Sequence, residues 1–251
     1  MNNLDARDGA SVKSAKRVLD LFEFFAERRT PAISAVIADG LNMPRSSCFA
    51  LIGTLAESGY LYEVSSRAGY YPTQRWLQHA RVISEFDPIV RTARPMMERL
   101  RDETGETVIL ARRSANRVLY VDVVESLYPL RYSAKPGQLR PLHSTASGRA
   151  ILGTMTSAER RSWFARAKPK ALTPKTVVDP DRLDAAIAES QSRGYYVTTG
   201  EHELDVSAIS CNAPIGDEFY VLSIAGPTQR LDPQIAQLGR LLRATCAEWS
   251  R

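Results

Sequence analysis

The segment from Pro31 to Gly59 constrains this chain most, because it reads as two short helices around a tight break. Residues 33–39 are too few to form a stable helix on their own. Residues 40–43 interrupt them, and Pro44 then suits the first position of a second helix. The apolar residues of that helix recur at the spacing of one buried stripe: Cys48, Leu51, Ile52 and Leu55.

The face opposite that stripe is small and polar, as in a recognition helix that enters the major groove of DNA. Two short extended runs joined by a turn at 65–69 follow, where a wing would stand. Simple core packing is the alternative interpretation, but the hairpin and a preceding helix at 12–26 favour DNA binding. We expect DNA contacts from the first helix, the recognition helix and the wing: Lys13, Arg45, Ser46, Ser47, Phe49, Ala50 and Arg67.

Composition indicates an ordinary globular protein, with 44% hydrophobic and 24% charged residues in a chain of 251, enough for two domains. No apolar run approaches the ~20 residues that span a bilayer, and residues 1–8 lack the apolar core of a signal peptide. Three separated cysteines fit neither a zinc site nor a set of disulfides. We therefore expect a cytoplasmic protein.

The net charge of +5 is compatible with a nucleic-acid partner, but it is unevenly distributed. Residues 1–72 contain eight basic and eight acidic residues, so the candidate DNA-binding part is neutral. Affinity for phosphates must then come from local placement and from two copies that act together.

The rest of the chain alternates between helical and extended patterns, which indicates an α+β sheet domain of the ligand-sensing kind. We expect a DNA-binding domain at 1–72, a linker helix at 73–86 and a sheet domain at 87–251; residues 73–86 could equally be the first helix of the larger domain. The expected helices are 12–26, with Val18, Leu19, Phe22 and Phe25 inward, 74–85, 88–104, 146–155, 157–167, 181–193 and 233–249. The expected strands are 107–111, 118–124, 130–133, 195–199, 208–213 and 220–225.

A ligand could be held where a helix begins at Ala146. Ser144 or Thr145 would cap that helix, and the backbone N–H groups around Ala146, Ser147 and Gly148 would donate hydrogen bonds to a small carboxylate. A plainly capped helix without a ligand is the alternative. The three histidines, His79, His143 and His202, show neither a metal-ligand spacing nor a catalytic triad, so we expect no catalytic residue, metal or cofactor.

Over nearly its whole length the chain resembles the isocitrate lyase regulator (IclR) family of bacterial transcription factors. The N-terminal residues that carry the resemblance are 17–21, 42–47, 51–55 and 59–61. The C-terminal ones are 103–107, 141–150, 172–176, 193–195, 213–215 and 223–227. Each motif is modest alone, but their order and spacing are specific.

The resemblance implies a winged helix-turn-helix domain, a linker helix and a GAF-like effector-binding domain with a curved antiparallel sheet. It also implies homodimers, often paired into tetramers, on near-palindromic double-stranded DNA operators, and a small organic-acid or aromatic effector. The effector contacts that it implies are Tyr132, Ala146, Ser147, Glu201, Ser210, Ser223 and Ala225.

The chain departs from the family pattern at two effector positions and at one position of the recognition helix. Ala225 replaces the second hydroxyl of a Ser-x-Ser pair, Glu201 stands where the family often has Asp, and Ala50 where it often has Arg. We therefore expect a DNA-binding repressor whose effector and operator do not carry over from relatives. An activator of the same family, or a sensor or enzyme that does not bind specific DNA, remains the alternative.

Overall fold

A computed structural model describes residues 12–215 and 218–249. Its contacts divide the chain between Asp87 and Pro88 into two compact units. The segment 1–8, for which we expect no signal peptide, lies outside the described residues. None of the helices in the described ranges is long and apolar enough to cross a lipid bilayer.

The first unit contains the predicted helix-turn-helix followed by a hairpin. The break between its second and third helices lies at residues 41–44, as the composition indicates. Its elements are α1 (Lys13–Arg28), α2 (Ser34–Gly40), α3 (Arg45–Glu57), β1 (Leu61–Ser65), β2 (Gly69–Pro72) and α4 (Arg75–Glu85).

The core of the first unit is formed where α1, α2 and α3 meet. The buried stripe of α3 is Cys48, Ile52 and Leu55, close to the stripe read from the sequence. In α1 the buried residues are Leu21 and Phe25, whereas Leu19 is 63% exposed. The prediction that Leu19 faces inward was wrong, because a residue two positions from Leu21 points to the opposite side of a helix.

The hairpin β1–β2 is attached to the segment that precedes α2. Ala32 and Tyr70 exchange two backbone hydrogen bonds, at 3.1 and 2.9 Å. Gly69 makes this approach possible: its φ is +84°, and a Cβ there would lie 2.2 Å from the carbonyl oxygen of Ala32. The hairpin is thereby held beside the helix-turn-helix.

Within residues 88–215 and 218–249, the second unit contains six strands and six helices, with a 3₁₀ turn at Asp232–Gln234. Its strands are β3 (Thr107–Ser114), β4 (Arg117–Val124), β5 (Leu139–Pro141), β6 (Tyr196–Thr199), β7 (Val206–Ile215) and β8 (Glu218–Pro227). Its helices are α5 (Pro88–Thr104), α6 (Ala146–Leu152), α7 (Ser157–Ala167), α8 (Pro180–Arg193), α9 (Thr228–Leu231) and α10 (Ile235–Glu248).

The strands form one curled antiparallel sheet in the order β5-β4-β3-β8-β7-β6. Alternate residues of β3 serve opposite faces, as the period of a strand requires. Ile109 and Ala111 join a core with α6, α7 and α8, while Val108 and Leu110 join a core with α5 and α10. The α+β fold class predicted from the sequence is confirmed.

The strand expected at 130–133 is absent, and the short edge strand β5 pairs with β4 instead. Side chains rather than a strand partner fix this segment. The hydroxyl of Thr107 donates to the carbonyl oxygen of Tyr132 at 2.6 Å, and the hydroxyl of Ser133 donates to Glu125 at 2.6 Å. An extended apolar-polar pattern does not reveal such partners.

Candidate ligand cavity and nucleic-acid surface

A cavity in the second unit lies between the start of α6 and the sheet. It contains about 410 Å³ of empty space, including its open mouth. Strands β3, β4, β6, β7 and β8 contribute to its wall, together with the loop that follows β6. Its lining residues are Ile109, Tyr120, Tyr132, Thr145, Ala146, Ser147, Thr198, His202, Val206, Ala208, Ser210, Ser223 and Ala225.

Two neighbouring strands supply a pair of hydroxyl groups to this cavity. Ser210 on β7 is the cross-strand partner of Ser223 on β8, and their hydroxyl oxygens lie 2.7 Å apart. One hydroxyl donates to the other, so the pair keeps one proton and several lone pairs for a ligand. Ala208 and Ala225, the next paired positions on this face, also line the cavity and keep it open.

The start of α6 forms another part of the wall. The side chain of Thr145 caps the helix by accepting from the N–H of Gly148 at 3.1 Å. A Cβ on Gly148 would lie 2.2 Å from the carbonyl oxygen of Leu142, so a glycine is needed where the incoming chain crosses the helix. Within the described part of the chain no hydrogen bond satisfies the N–H groups of Ala146 and Ser147, which lie at the cavity wall.

Glu201 is not among the residues that line the cavity. Its carboxylate accepts from the guanidinium of Arg149 and from the N–H of Val177 at 3.2 Å. Both members of this ion pair are buried, with side chains 5% and 9% exposed. The structure therefore places six of the seven expected effector residues at the cavity and places Glu201 behind its wall.

Sequence reasoning did not select His202 and Tyr120, which also line the cavity. Burial lowers the pKa of His202, and Arg140 lowers it further, so its imidazole is neutral at neutral pH. The hydroxyl of Ser144 lies 3.3 Å from Nδ1 of His202. Burial also raises the pKa of Tyr120, so no lining residue carries a fixed charge. His202 directly follows Glu201 in the sequence, and this adjacency was the available signal for it.

The side chains of His143 and His202 contact neighbouring polar groups. Nε2 of His143 lies 3.0 Å from the carbonyl oxygen of Lys170, and Nε2 of His202 lies 4.0 Å from the carboxylate of Glu203. Across residues 12–215 and 218–249 no group of three or more His, Cys, Asp and Glu residues is placed to hold a metal ion.

The first unit exposes most of the residues expected to contact DNA. Lys13 begins α1, Arg45 begins α3 and Arg67 lies in the turn between β1 and β2; all three side chains are exposed. On α3, Ser46 and Ala50 are exposed, Phe49 is 66% exposed, and Ser47 is half-buried. The expected contact residues are thus distributed over two helices and the hairpin.

Two family models match the chain. The model described as "IclR helix-turn-helix domain" matches residues 14–65, and the model described as "Bacterial transcriptional regulator IclR C-terminal" matches residues 80–251, more than half of the chain. Among curated proteins the chain is similar to the "Acetate operon repressor" of Salmonella typhimurium, with 28% identity over 243 residues, 92% of this chain and 86% of that protein.

Solved structures show the same fold. The IclR protein of Thermotoga maritima superposes with a TM-score of 0.77 at 22% identity, over 96% of this chain and 98% of that chain. An IclR homologue from Microbacterium hydrocarbonoxydans, solved in complex with 4-hydroxybenzoate, gives a TM-score of 0.75 at 22% identity, over 93% and 96%. The two matched segments cover both the helix-turn-helix and the cavity-bearing domain, and the chain therefore belongs to the IclR family of DNA-binding bacterial transcriptional regulators.

Proposed function

We propose that this protein is a cytoplasmic repressor controlled by a small organic acid or aromatic metabolite. Binding of that effector either releases the protein from its operator or holds it there. Residues 1–72 bind DNA, 73–86 form a linker helix, and 87–251 bind the effector and support assembly. The observation that carries this proposal is the cavity at the start of α6 within a family-matched effector domain. The name of the Salmonella relative, a repressor, supports repression rather than activation.

The polarity of the cavity supports this choice of effector class. Hydroxyl groups of Ser210 and Ser223 and the N–H groups of Ala146 and Ser147 offer hydrogen bonds, while Ile109 and Ala208 offer apolar surface. A small molecule with an apolar body and one polar end fits such a lining. The 4-hydroxybenzoate bound by the Microbacterium homologue is a molecule of this type.

Exposed apolar residues on α4 support a homodimer on a near-palindromic operator. No residue of α4 is buried, although Val82 is 56% and Ile83 73% exposed. Phe86, which follows the helix, is 63% exposed. A second copy would cover these side chains and would place two recognition helices about 34 Å apart for successive half-sites. Two such dimers would form the tetramer that the resemblance implies.

The test is an electrophoretic mobility shift with DNA from upstream of the protein's own reading frame, with and without a panel of small aromatic and aliphatic acids. We expect a sequence-specific shift that one class of acid changes about 5- to 150-fold, the usual range of allosteric coupling. Transcription in vitro from the same fragment separates repression from activation.

Two paired variants locate the sites. Arg45→Ala/Ser46→Ala should lose the shift and still bind the acid in calorimetry. Ser210→Ala/Ser223→Ala should keep the shift and lose the response to the acid. A shift that scrambled DNA competes away equally well would contradict the proposed function.

A further inference from the structure

Beyond its first turn, the exposed face of α3 contains few side chains that can hydrogen-bond to a base. Arg45, Ser46 and Ser47 stand at its first turn. Beyond them the exposed residues are Phe49, Ala50, Thr54 and Glu57, with Gly53 partly exposed between them. A Cβ on Gly53 would meet nothing within 4 Å. The hydroxyl of Thr54, at the side of this face, donates to the carbonyl oxygen of Ala50 at 3.0 Å. The middle of the recognition helix therefore presents small apolar residues, and only the ring of Phe49 protrudes from them.

The ring of Phe49 is largely exposed, as are those of Phe86 and Phe219. The side chain of Phe49 is 66% exposed, whereas Cys48 and Ile52 on the adjoining stripe of the same helix are 0% and 1% exposed, so the ring stands at the border of the exposed face. A single exposed apolar side chain is common on protein surfaces. What distinguishes Phe49 is its place on α3, four residues after Arg45 at the start of the helix. The small neighbours Ala50 and Gly53 leave the ring standing above the helix surface.

Base recognition in the major groove restricts what such a ring can read. Guanine is normally read by Arg or Lys, adenine by Asn or Gln, and cytosine by Asp or Glu, all through hydrogen bonds. The only major-groove feature that an aromatic ring reads by apolar contact is the C5 methyl group of thymine. Arg45 lies at the first position of α3. Hydrogen bonds from this helix to bases are therefore expected at its N-terminal end.

We propose that Phe49 recognises the C5 methyl group of one thymine in each operator half-site and is the main specificity determinant of the middle of the recognition helix. The inference rests on the proposed function, because it requires operator binding through α3. It goes further by naming the base and the chemical group that are read.

The test begins with selection of the full-length protein on a random duplex library, which needs no knowledge of the operator. Each thymine of the enriched half-site is then replaced by deoxyuridine, which removes only the methyl group. We expect one thymine at which replacement weakens binding about fourfold in one half-site, the equivalent of ~0.8 kcal/mol for one buried methyl-sized group. Replacement in both half-sites should weaken it about 15-fold.

The variant Phe49→Ala should bind the thymine and deoxyuridine duplexes equally, with other positions unchanged. Phe219→Ala is the matched control, because Phe219 is also 66% exposed but lies on β8 in the second unit. That variant should keep the discrimination of the unmodified protein. A 5-methylcytosine·guanine pair at the same position should bind about fourfold better than cytosine·guanine, because it restores the methyl group.

Three outcomes would overturn the inference. The first is an enriched sequence in which no thymine responds to deoxyuridine, and the second is discrimination that persists in Phe49→Ala. The third is weaker self-association of Phe49→Ala in sedimentation with unchanged base preference, which would assign the ring to a second copy of the chain. These outcomes leave the proposed function intact; if the library yields no enriched sequence at all, both fall.

Discussion

At the scale of single residues, the buried pair of Arg149 and Glu201 decides the local structure behind the cavity. Burial raises the pKa of Glu201 and lowers the pKa of Arg149, although each attracts the other's charge. Both directions mean that loss of hydration outweighs the attraction, as is common for buried ion pairs. The guanidinium also donates to the carbonyl oxygens of His143 at 3.2 Å and Val197 at 3.4 Å.

We predict that Arg149→Met destabilises the second unit by about 3–5 kcal/mol, because it leaves the carboxylate of Glu201 buried without its cation. The double variant Arg149→Met/Glu201→Leu should recover most of that loss, since no charge is then buried. Urea unfolding followed by fluorescence of Trp163, a residue of the same core, measures both. Additive losses in the double variant would show that the pair contributes net stability.

Glu201 also shows where residue-level prediction reached its limit. The family resemblance implies effector contacts at Glu201, Ser210 and Ser223; of these, Ser210 and Ser223 line the cavity and Glu201 does not. The difference arises because Arg149, one turn into α6, binds the Glu201 carboxylate, and no sequence spacing relates residues that are 52 positions apart. His202 was missed as a lining residue because no sequence spacing relates it to the strands that form the cavity.

At the scale of elements, helices and long strands followed from their periodicity, but a short edge strand did not. The sequence predicted the limits of α5, Pro88–Thr104, because Pro favours the first position of a helix and Gly105 stands just after its last residue. The three-residue strand β5 depends on its pairing with β4 and has no pattern of its own. Elements defined by local chemistry are predictable, whereas those defined by a distant partner are not.

The contact between α7 and α8 provides a prediction at this scale. Asp184 on α8 accepts from the guanidinium of Arg160 at 2.5 Å and from the hydroxyl of Ser157 at 2.8 Å. These hydrogen bonds, from Arg160 first and then Ser157, hold the pKa of Asp184 below its ordinary value of 3.8. A carboxyl group whose pKa is lower in the folded state stabilises the fold above its ordinary pKa and loses that effect as the pH falls through the folded pKa.

We therefore predict that Asp184→Asn lowers the free energy of unfolding by about 1.5–3 kcal/mol at pH 7, because hydrogen bonds to a charged group are lost. The difference from the unmodified protein should shrink as the pH falls below 3.8. Urea unfolding at pH 7 and at pH 3 measures this. Asp181→Asn, an exposed position in the first turn of the same helix, serves as the control. An unchanged difference at pH 3 would contradict the assignment.

At the scale of the whole molecule, the proposed dimer depends on the apolar residues that α4 leaves exposed. Trp76 holds the start of this helix against the rest of the first unit, because its indole N–H donates to the carbonyl oxygen of Tyr60 at 3.3 Å. Every residue from 77 to 86 is exposed, and among the described residues of the first unit none forms a comparable side-chain hydrogen bond with the far end of the helix. A second copy of the chain supplies the missing cover in our proposal.

We predict that Ile83→Asp raises the dissociation constant of the dimer at least tenfold, because burial of one large aliphatic side chain is worth about 1.5–3 kcal/mol. Sedimentation equilibrium measures it. Ser84→Asp, which adds the same charge on another face of α4, should leave the dimer intact. If both variants dissociate alike, charge rather than the apolar contact is responsible.

The paired positions on β7 and β8 have a consequence for how such regulators acquire new ligands. Ser210 faces Ser223 and Ala208 faces Ala225, so the cavity floor is a two-by-two grid of the smallest side chains on backbones that the sheet already holds. A single nucleotide change can exchange serine and alanine, adding or deleting one hydroxyl group without disturbing a strand. Ligand preference can therefore drift during evolution in small, reversible steps while the fold that carries the signal stays the same.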